Sequence, residues 1–439
     1  MSGVRTVLLK DICNFEKGTT GLMKAIPGEY PLVTTGANRR TCESYQFDTK
    51  AVCIPLVSST GHGHASLNNI HYQEGRFALG TILVALTAKD EAELDVHFLH
   101  LYLSQLKDVV LVPLMKGAAN VSLSITAIKC VEIPLPSIVR QKEIVEKFKS
   151  IVNEENQLLE ELNKQGSLIQ SFREQIFKEA IDGRLSATWR EQFKSCCSID
   201  ELLENVQVNK ELAIDEGNLR IPKNFPQIKE NEIPYSIPKG WRWCRIGDLA
   251  AISSGKGFTK SEYTEDGVRL FQIANVSFGR VSWDKKVFVP EEYMEQHPNL
   301  ILKAGDILMA LNRPLLGKKL KVAQLGELDV PSILYQRVGK FELFDPDLAS
   351  WLYIYLQSPN FSSWLYEQVK GVNIPFVNQT KVYTHLIPIP PLEEQHEIKL
   401  RLERLIDRSE QLELQVNSSQ YNTKILIRAV LNEEFSHDL

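Results

Sequence analysis

Two stretches of this chain place apolar residues at alternating steps of four and three. Between 138 and 185 the steps run through Ile144, Phe148, Ile151, Leu158, Leu162, Ile169, Phe172 and Ile176, with Glu155 and Gln165 as polar interruptions. Adding 254 to each number gives Ile398, Leu402, Leu405, Leu412, Val416, Leu426 and Val430, with Ser409, Ser419 and Thr423 at the remaining steps. Such a seam predicts a long heptad helix with one apolar stripe. Ser137 suits the N-cap of the first helix and Gly183 its C-cap. At helical rise the first stretch would span roughly 70 Å. Two seams of equal length in matched register predict that the helices pair with each other, rather than each lying on its own domain. Periodicity leaves the direction of pairing open.

Outside these stretches the period changes. Short apolar runs such as CIPLV, TILVAL and CVEIPLP, bounded by Gly, Pro and Asn, predict strands with turn chemistry. One helix is expected around 96–106 and its counterpart around 348–357. These segments make two mixed domains, 1–137 and 240–391, so the fold class is α+β. The helices occupy 138–186 and 392–439. Between the halves, 187–239 holds Cys196-Cys197, a short helix from Ser198 and a Pro-rich polar stretch, and is expected to be a linker.

The chain repeats itself over a long period. Asp11-Ile12 returns as Asp248-Leu249, Lys17-Gly18 as Ser254-Gly255, GTILVAL (80–86) as GDILMAL (305–311), and FLHLYLSQ (98–105) as WLYIYLQS (351–358). Lys116-Gly117 returns as Lys370-Gly371, Thr126 as Thr380, and IPLP (133–136) as IPIP (387–390). Gln141 and Glu143 then match Gln395 and Glu397. From Lys116 onward the offset stays at 254, whereas earlier matches range from 225 to 253, as loop insertions would produce.

Composition narrows the class. At 439 residues, with 43% hydrophobic and 24% charged residues, the chain suits two or three globular domains. No apolar run approaches a membrane span, and MSGVRTVLLKDICNF lacks the pattern of a secretory signal. Seven cysteines without any CxxC read as reduced thiols, which predicts a cytoplasmic protein. The net charge of −5 gives no support by itself for a nucleic-acid partner. Its distribution adds a little, since 240–391 carry 17 basic and 15 acidic residues and 392–439 carry 6 and 10.

Catalytic motifs are missing. NRPLLGKK (312–319) lacks the first Gly and the Ser/Thr of a phosphate-binding loop. VNIPF (372–376) has one proline where an amino-methyltransferase has two. His62 and His64 have no third ligand at a recognised metal spacing, and a polar loop touching a partner reads them better. Taken together these absences favour a binding protein. A scaffold joining two protein partners and an enzyme with an unfamiliar site remain open at this level.

The residues resemble the specificity subunit of type I restriction–modification systems. IPKGWRWCRIGDL (237–249) looks like the opening of a target recognition domain in that family. IPLPSIVRQKEIVEKF and IPIPPLEEQHEIKLRL look like the entries to its helical spacers, and FREQIFKEAIDGRL (172–185) like the end of its central spacer. Two departures stand out. The first repeat opens RTVLLKDICNF without Pro-Lys-Gly-Trp, and the second ends HDL where the first has GRL.

The resemblance implies two pseudo-repeated target recognition domains, each reading one half of a bipartite double-stranded DNA target, with an antiparallel coiled coil setting the spacing. It implies modification subunits, two of them, that methylate adenine and bind S-adenosylmethionine, and restriction subunits that use ATP and Mg2+. This chain would hold no cofactor and no metal. Base reading requires Arg, Lys, Asn, Gln, Ser or Thr at base edges. In the first domain, loops 34–40 and 58–69 offer Thr35, Asn38, Arg39, Arg40, Ser59, His62, His64 and Asn68. In the second, loops 253–260, 311–321 and 335–340 offer Lys256, Lys260, Asn312, Arg313, Lys318, Lys319, Lys321, Gln336 and Arg337. A single Lys or Arg is as readily a solvated surface charge, so the expectation attaches to loops. LNRPLLGKKLK, with one Arg and three Lys, ranks first.

Overall fold

The computed structural model describes residues 5–436 apart from 61–62, 119, 194–198, 217–220, 222–223 and 370–374. Two compact units emerge, 1–164 with 416–439, and 165–415. Among the described residues no helix is long and apolar enough to cross a membrane.

Each unit is built on the same strand frame. In the first, Arg5–Leu8 pairs antiparallel with Glu132–Leu135, closing the domain where it runs into its long helix. Arg242–Arg245 and Leu386–Ile389 do the same in the second. A four-stranded sheet follows in each, in the order Cys13–Lys17, Leu83–Ala88, Ala51–Pro55, His71–Gln73, and correspondingly Ala250–Ser254, Val338–Leu343, Ile307–Ala310, Val322–Gln324. A second four-stranded sheet places Tyr30–Val33 parallel to Arg76–Leu79, and Val268–Phe271 parallel to Ser332–Leu334. The central strands Ala51–Pro55 and Ile307–Ala310 are buried along their whole length, which is why they read as continuous apolar runs.

This frame corrects one sequence match. GDILMAL supplies Ile307–Ala310, whose counterpart is Ala51–Pro55 and not GTILVAL. Lys17 pairs with Val84 as Ser254 pairs with Gly339, and Ile54 pairs with Val84 as Met309 pairs with Gly339. Short buried strands share one apolar vocabulary, so a string alone cannot say which strand it is. In the corrected register the second repeat's extra residues fall between Phe271 and Ile301, where the first runs from Val33 to Phe47.

The long helices run over Ile138–Ile181 and Leu392–Ser436. Ser137 caps the first as predicted, accepting from Arg140 N–H at 3.4 Å. At its other end Gly183 sits in the left-handed region with φ of 79°, its N–H donating to Ala180 C=O at 3.4 Å while Leu185 N–H returns to Glu179 C=O at 3.0 Å, a glycine stop. The helices pair antiparallel. Within the second unit, Arg401 donates to Leu185 C=O at 3.0 Å, and Arg173 Nε donates to Ser409 Oγ at 2.6 Å. Within the first, Gln420 donates to Asn163 at 3.0 Å.

The seam is followed in part. Ile144, Leu162, Ile176, Ile398, Leu402 and Val416 are buried, and Phe148, Ile151, Ile169 and Leu405 half-buried. Leu158, Phe172, Leu412 and Leu426 stand exposed, against expectation, and the Val430 side chain lies outside those described. A straight helix drifts about 20° per heptad from a strict seven-residue repeat, so one stripe cannot face the partner over six turns or more. Arg173 takes the facing place beside Phe172 and pairs with Glu413 at 2.8 Å.

The segment 187–239 is also more than a linker. Ile199–Asp215 is helical, and Ile199, Leu202 and Val206 enter the core of the second unit with Trp241 and Trp351. Lys210 is fully buried, pairs with Asp248 at 2.9 Å and lies 4.7 Å from the Phe225 ring. The short helix expected in this segment is present, and its i, i+3, i+7 apolar stripe is what carries it into the core.

Candidate nucleic-acid interface

In the first unit the chain leaves Ala51–Pro55 through a loop held by its own hydroxyls. Ser58 Oγ donates to His64 C=O at 2.5 Å, Asn68 N–H to Ser59 Oγ at 2.9 Å, and Leu67 is the buried anchor. Loop 34–40 lies against this segment, since Asn69 Nδ2 donates to Thr35 C=O at 3.0 Å. The two predicted loops therefore meet. Asn38, Arg40, Ser59, His64 and Asn68 are exposed there, Thr35 is half-buried, and His62 lies outside the described residues.

Arg39 has a different part. Its guanidinium donates to Gln73 Oε1 at 2.8 Å, to Tyr72 C=O at 3.1 Å and to His71 Nδ1 at 3.0 Å. Those bonds fasten the loop to strand His71–Gln73 and leave the side chain engaged inside the domain. Burial, and then the charge of Arg39, hold the His71 imidazole down at about 4. Unfolded, it would titrate near 6.5. Folding thus favours the neutral ring, so its contribution is complete above pH ~6.5 and lost as pH falls toward 4. Denaturation of the chain across this window should show a loss of roughly 2–4 kcal/mol from this group. His71→Gln should flatten the slope; an unchanged slope would contradict the assignment.

In the second unit three predicted loops converge. Lys256 bridges Tyr335, and Gln336 N–H donates to Lys256 C=O at 3.0 Å. Leu311 N–H donates to Arg337 C=O at 2.8 Å, and Lys321 N–H to Pro314 C=O at 2.7 Å. Leu315–Leu316 and Lys319–Leu320 form a hairpin turned by Gly317 and Lys318, with Gly317 at φ 60°. Lys256, Lys260, Arg313, Lys318, Lys319, Gln336 and Arg337 are exposed, and Asn312 and Lys321 half-buried. Lys256 also donates to His297 at 3.2 Å and Lys319 to Gln170 at 3.3 Å. A cleft of about 410 Å³ lies under the hairpin, lined by Arg173, Lys318, Lys319, Gln357, Ser362 and Glu410 among others.

The sequence reading missed neighbours of these loops. Lys116 is exposed beside Ser122 in the segment that bridges Val57, and exposed Phe376 bridges Asn312 in the equivalent place. The repeated Lys-Gly just ahead of each segment was the available signal.

The model of the type I restriction modification DNA specificity domain matches this chain twice, over residues 1–165 and 238–418. The chain belongs to that family. The type I restriction enzyme MjaVIII specificity subunit of Methanocaldococcus jannaschii is 29% identical over 333 residues, covering 74% of this chain and 67% of that protein. The EcoAI specificity subunit of Escherichia coli is 29% identical over 221 residues, 50% of this chain and 37% of that one. A chain solved in a study of complex assembly and conformational transition of the type I R-M system aligns over 100% of this chain and 99% of its own length. Its TM-score is 0.62 at 16% identity, a likeness of fold. Both family matches contain one copy of the strand frame and the start of one long helix, so family membership and internal duplication coincide.

Proposed function

We propose that this chain is the DNA-addressing subunit of a type I restriction–modification complex, each domain reading one half of a bipartite target while the paired helices set the distance between halves. The observation that carries this is one strand frame used twice with different loop chemistry. Loop 58–69 holds no Lys or Arg, whereas its counterpart 311–321 holds one Arg and three Lys. Frame conserved and loops varied is how a scaffold changes what it reads.

In this reading two modification subunits and the restriction subunits assemble on the chain in the cytoplasm. They supply S-adenosylmethionine, ATP and Mg2+, and the chain itself does no chemistry. Exposed Leu158 and Phe172 on one long helix, and Leu412 and Leu414 on the other, give the modification subunits apolar surface to bury. The test is binding of the assembled complex to DNA across a salt series. Specific duplexes should be held more tightly than random ones, with affinity falling steeply as salt rises. The chain alone should neither methylate nor cleave DNA. Absence of salt-dependent DNA binding, or turnover by the rigorously purified chain, would overturn the proposal.

A further inference from the structure

We infer that Arg313 and Arg337 read guanine in the half-site addressed by the second domain, an inference that rests on the function proposed above. Among the described residues these are the only non-glycine residues with positive φ, at 48° and 73°. That region is disfavoured for any residue with a Cβ and persists where the surroundings impose it.

The duplication supplies an internal comparison. Leu311 N–H donates to Arg337 C=O at 2.8 Å, as Leu56 N–H does to Ile82 C=O at 2.8 Å. Arg313 N–H donates to Pro375 C=O at 2.7 Å, as Ser58 N–H does to Val121 C=O at 3.0 Å. Val377 N–H returns to Leu311 C=O at 2.8 Å, as Leu123 N–H does to Leu56 at 2.9 Å. Arg313 thus occupies the place of Ser58, and Arg337 the place of Ile82, in one backbone frame. The frame does not itself demand left-handed residues, since neither Ser58 nor Ile82 adopts that conformation.

Arg337 stands third in a turn closed by Val338 N–H to Tyr335 C=O at 3.3 Å, where positive φ ordinarily brings Gly or Asn. Glycine would fold there more easily. An arginine kept in a glycine conformation, exposed, and next to a second arginine in the same state is best explained by what the side chains do. Two guanidinium forks on adjacent loops match the N7 and O6 acceptors of guanine in the major groove.

The experiment uses the complex assembled with its modification subunits and reads the methylated motif by sequencing modified DNA. Arg313→Gly and Arg337→Gly keep the backbone conformation and remove the fork; Arg→Lys at each site keeps the charge. The wild-type motif should contain guanine in the half read by residues 240–391. Each Gly variant should lose discrimination at one base pair by roughly 5- to 150-fold, with the other half unchanged and no rescue by Lys. Thermal unfolding of each Gly variant should occur at or above the wild-type midpoint, since glycine relieves the positive-φ strain. A half-site without guanine would overturn the inference, as would variants that weaken every sequence alike with the motif intact, the mark of a phosphate grip. Those results leave bipartite reading standing. A wild-type complex without a bipartite motif would remove that reading and this inference together.

Discussion

Replacing Glu394 with alanine is expected to lower stability by about 3–5 kcal/mol, the cost of leaving buried partners of a charge unpaired. For a unit of this size the midpoint of thermal unfolding should fall on the order of 10 °C. Glu394 lies in the first turn of the second long helix and is 2% exposed. It accepts from Ser186 Oγ at 2.6 Å and from Trp241 Nε1 at 2.9 Å, and it pairs with Arg190. Arg190 in turn donates to Gly183 C=O at 2.7 Å. One carboxylate therefore ties the stop of the first long helix, the Pro-Lys-Gly-Trp opening of the second domain and the start of the second helix. A negative group in a helix's first turn is favoured in addition. Glu394→Gln keeps an acceptor and should cost less, about 1–2 kcal/mol. Denaturation of the full chain decides; equal midpoints for wild type and E394A would contradict this network. Arg140 holds the matching position in the first repeat, so the tie belongs to the second unit alone.

The second large effect should come from Gly255→Ala. A Cβ built there would lie 2.1 Å from Leu334 O and 2.4 Å from Leu334 C, with no flexible side chain to give way. Overpacking of this kind costs about 3 kcal/mol or more when the obstacle is backbone. The displaced segment carries Lys256, whose bridge to Tyr335 holds loops 253–260 and 335–340 together. Recognition by the second domain should therefore weaken along with stability, while the first half-site is read as before. Gly18 repeats the arrangement, 2.1 Å from Gly80 O. Gly166→Ala is the control. It sits in the first long helix with nothing within 4 Å of its Cβ position, and should be neutral or stabilising by up to about 1 kcal/mol. Normal second-site recognition and stability in Gly255→Ala would refute the close-approach explanation.

These residues show how far the sequence could be read. Period and capping are local, so the long helices, Ser137 and Gly183 were legible to within a few residues. The repeated Gln was legible as a repeat, and its purpose became plain in three dimensions. Gln141 Nε2 donates to Pro136 C=O and Gln395 Nε2 to Pro390 C=O, at 2.9 and 2.8 Å, each fixing its Pro-x-Pro strand to the helix that follows. Strand order is non-local: GDILMAL resembles GTILVAL as a string yet takes the place of Ala51–Pro55, because buried strands look alike. Side-chain roles within loops were the least legible. Arg39 and Arg40 are adjacent in one basic loop, yet one is bonded into the domain and the other is exposed. Nothing in the string TTGANRR distinguishes them. Arg313 and Arg337 carried no mark in sequence of their backbone conformation.

The most direct measurement exchanges residues 240–386 for the equivalent domain of a relative with a different target, then reads the methylation motif of the reassembled complex. If each strand frame serves one half-site, the half belonging to the exchanged domain changes and the other half and the spacing stay. A motif altered in both halves, or in neither, would contradict two independent recognition domains on one chain.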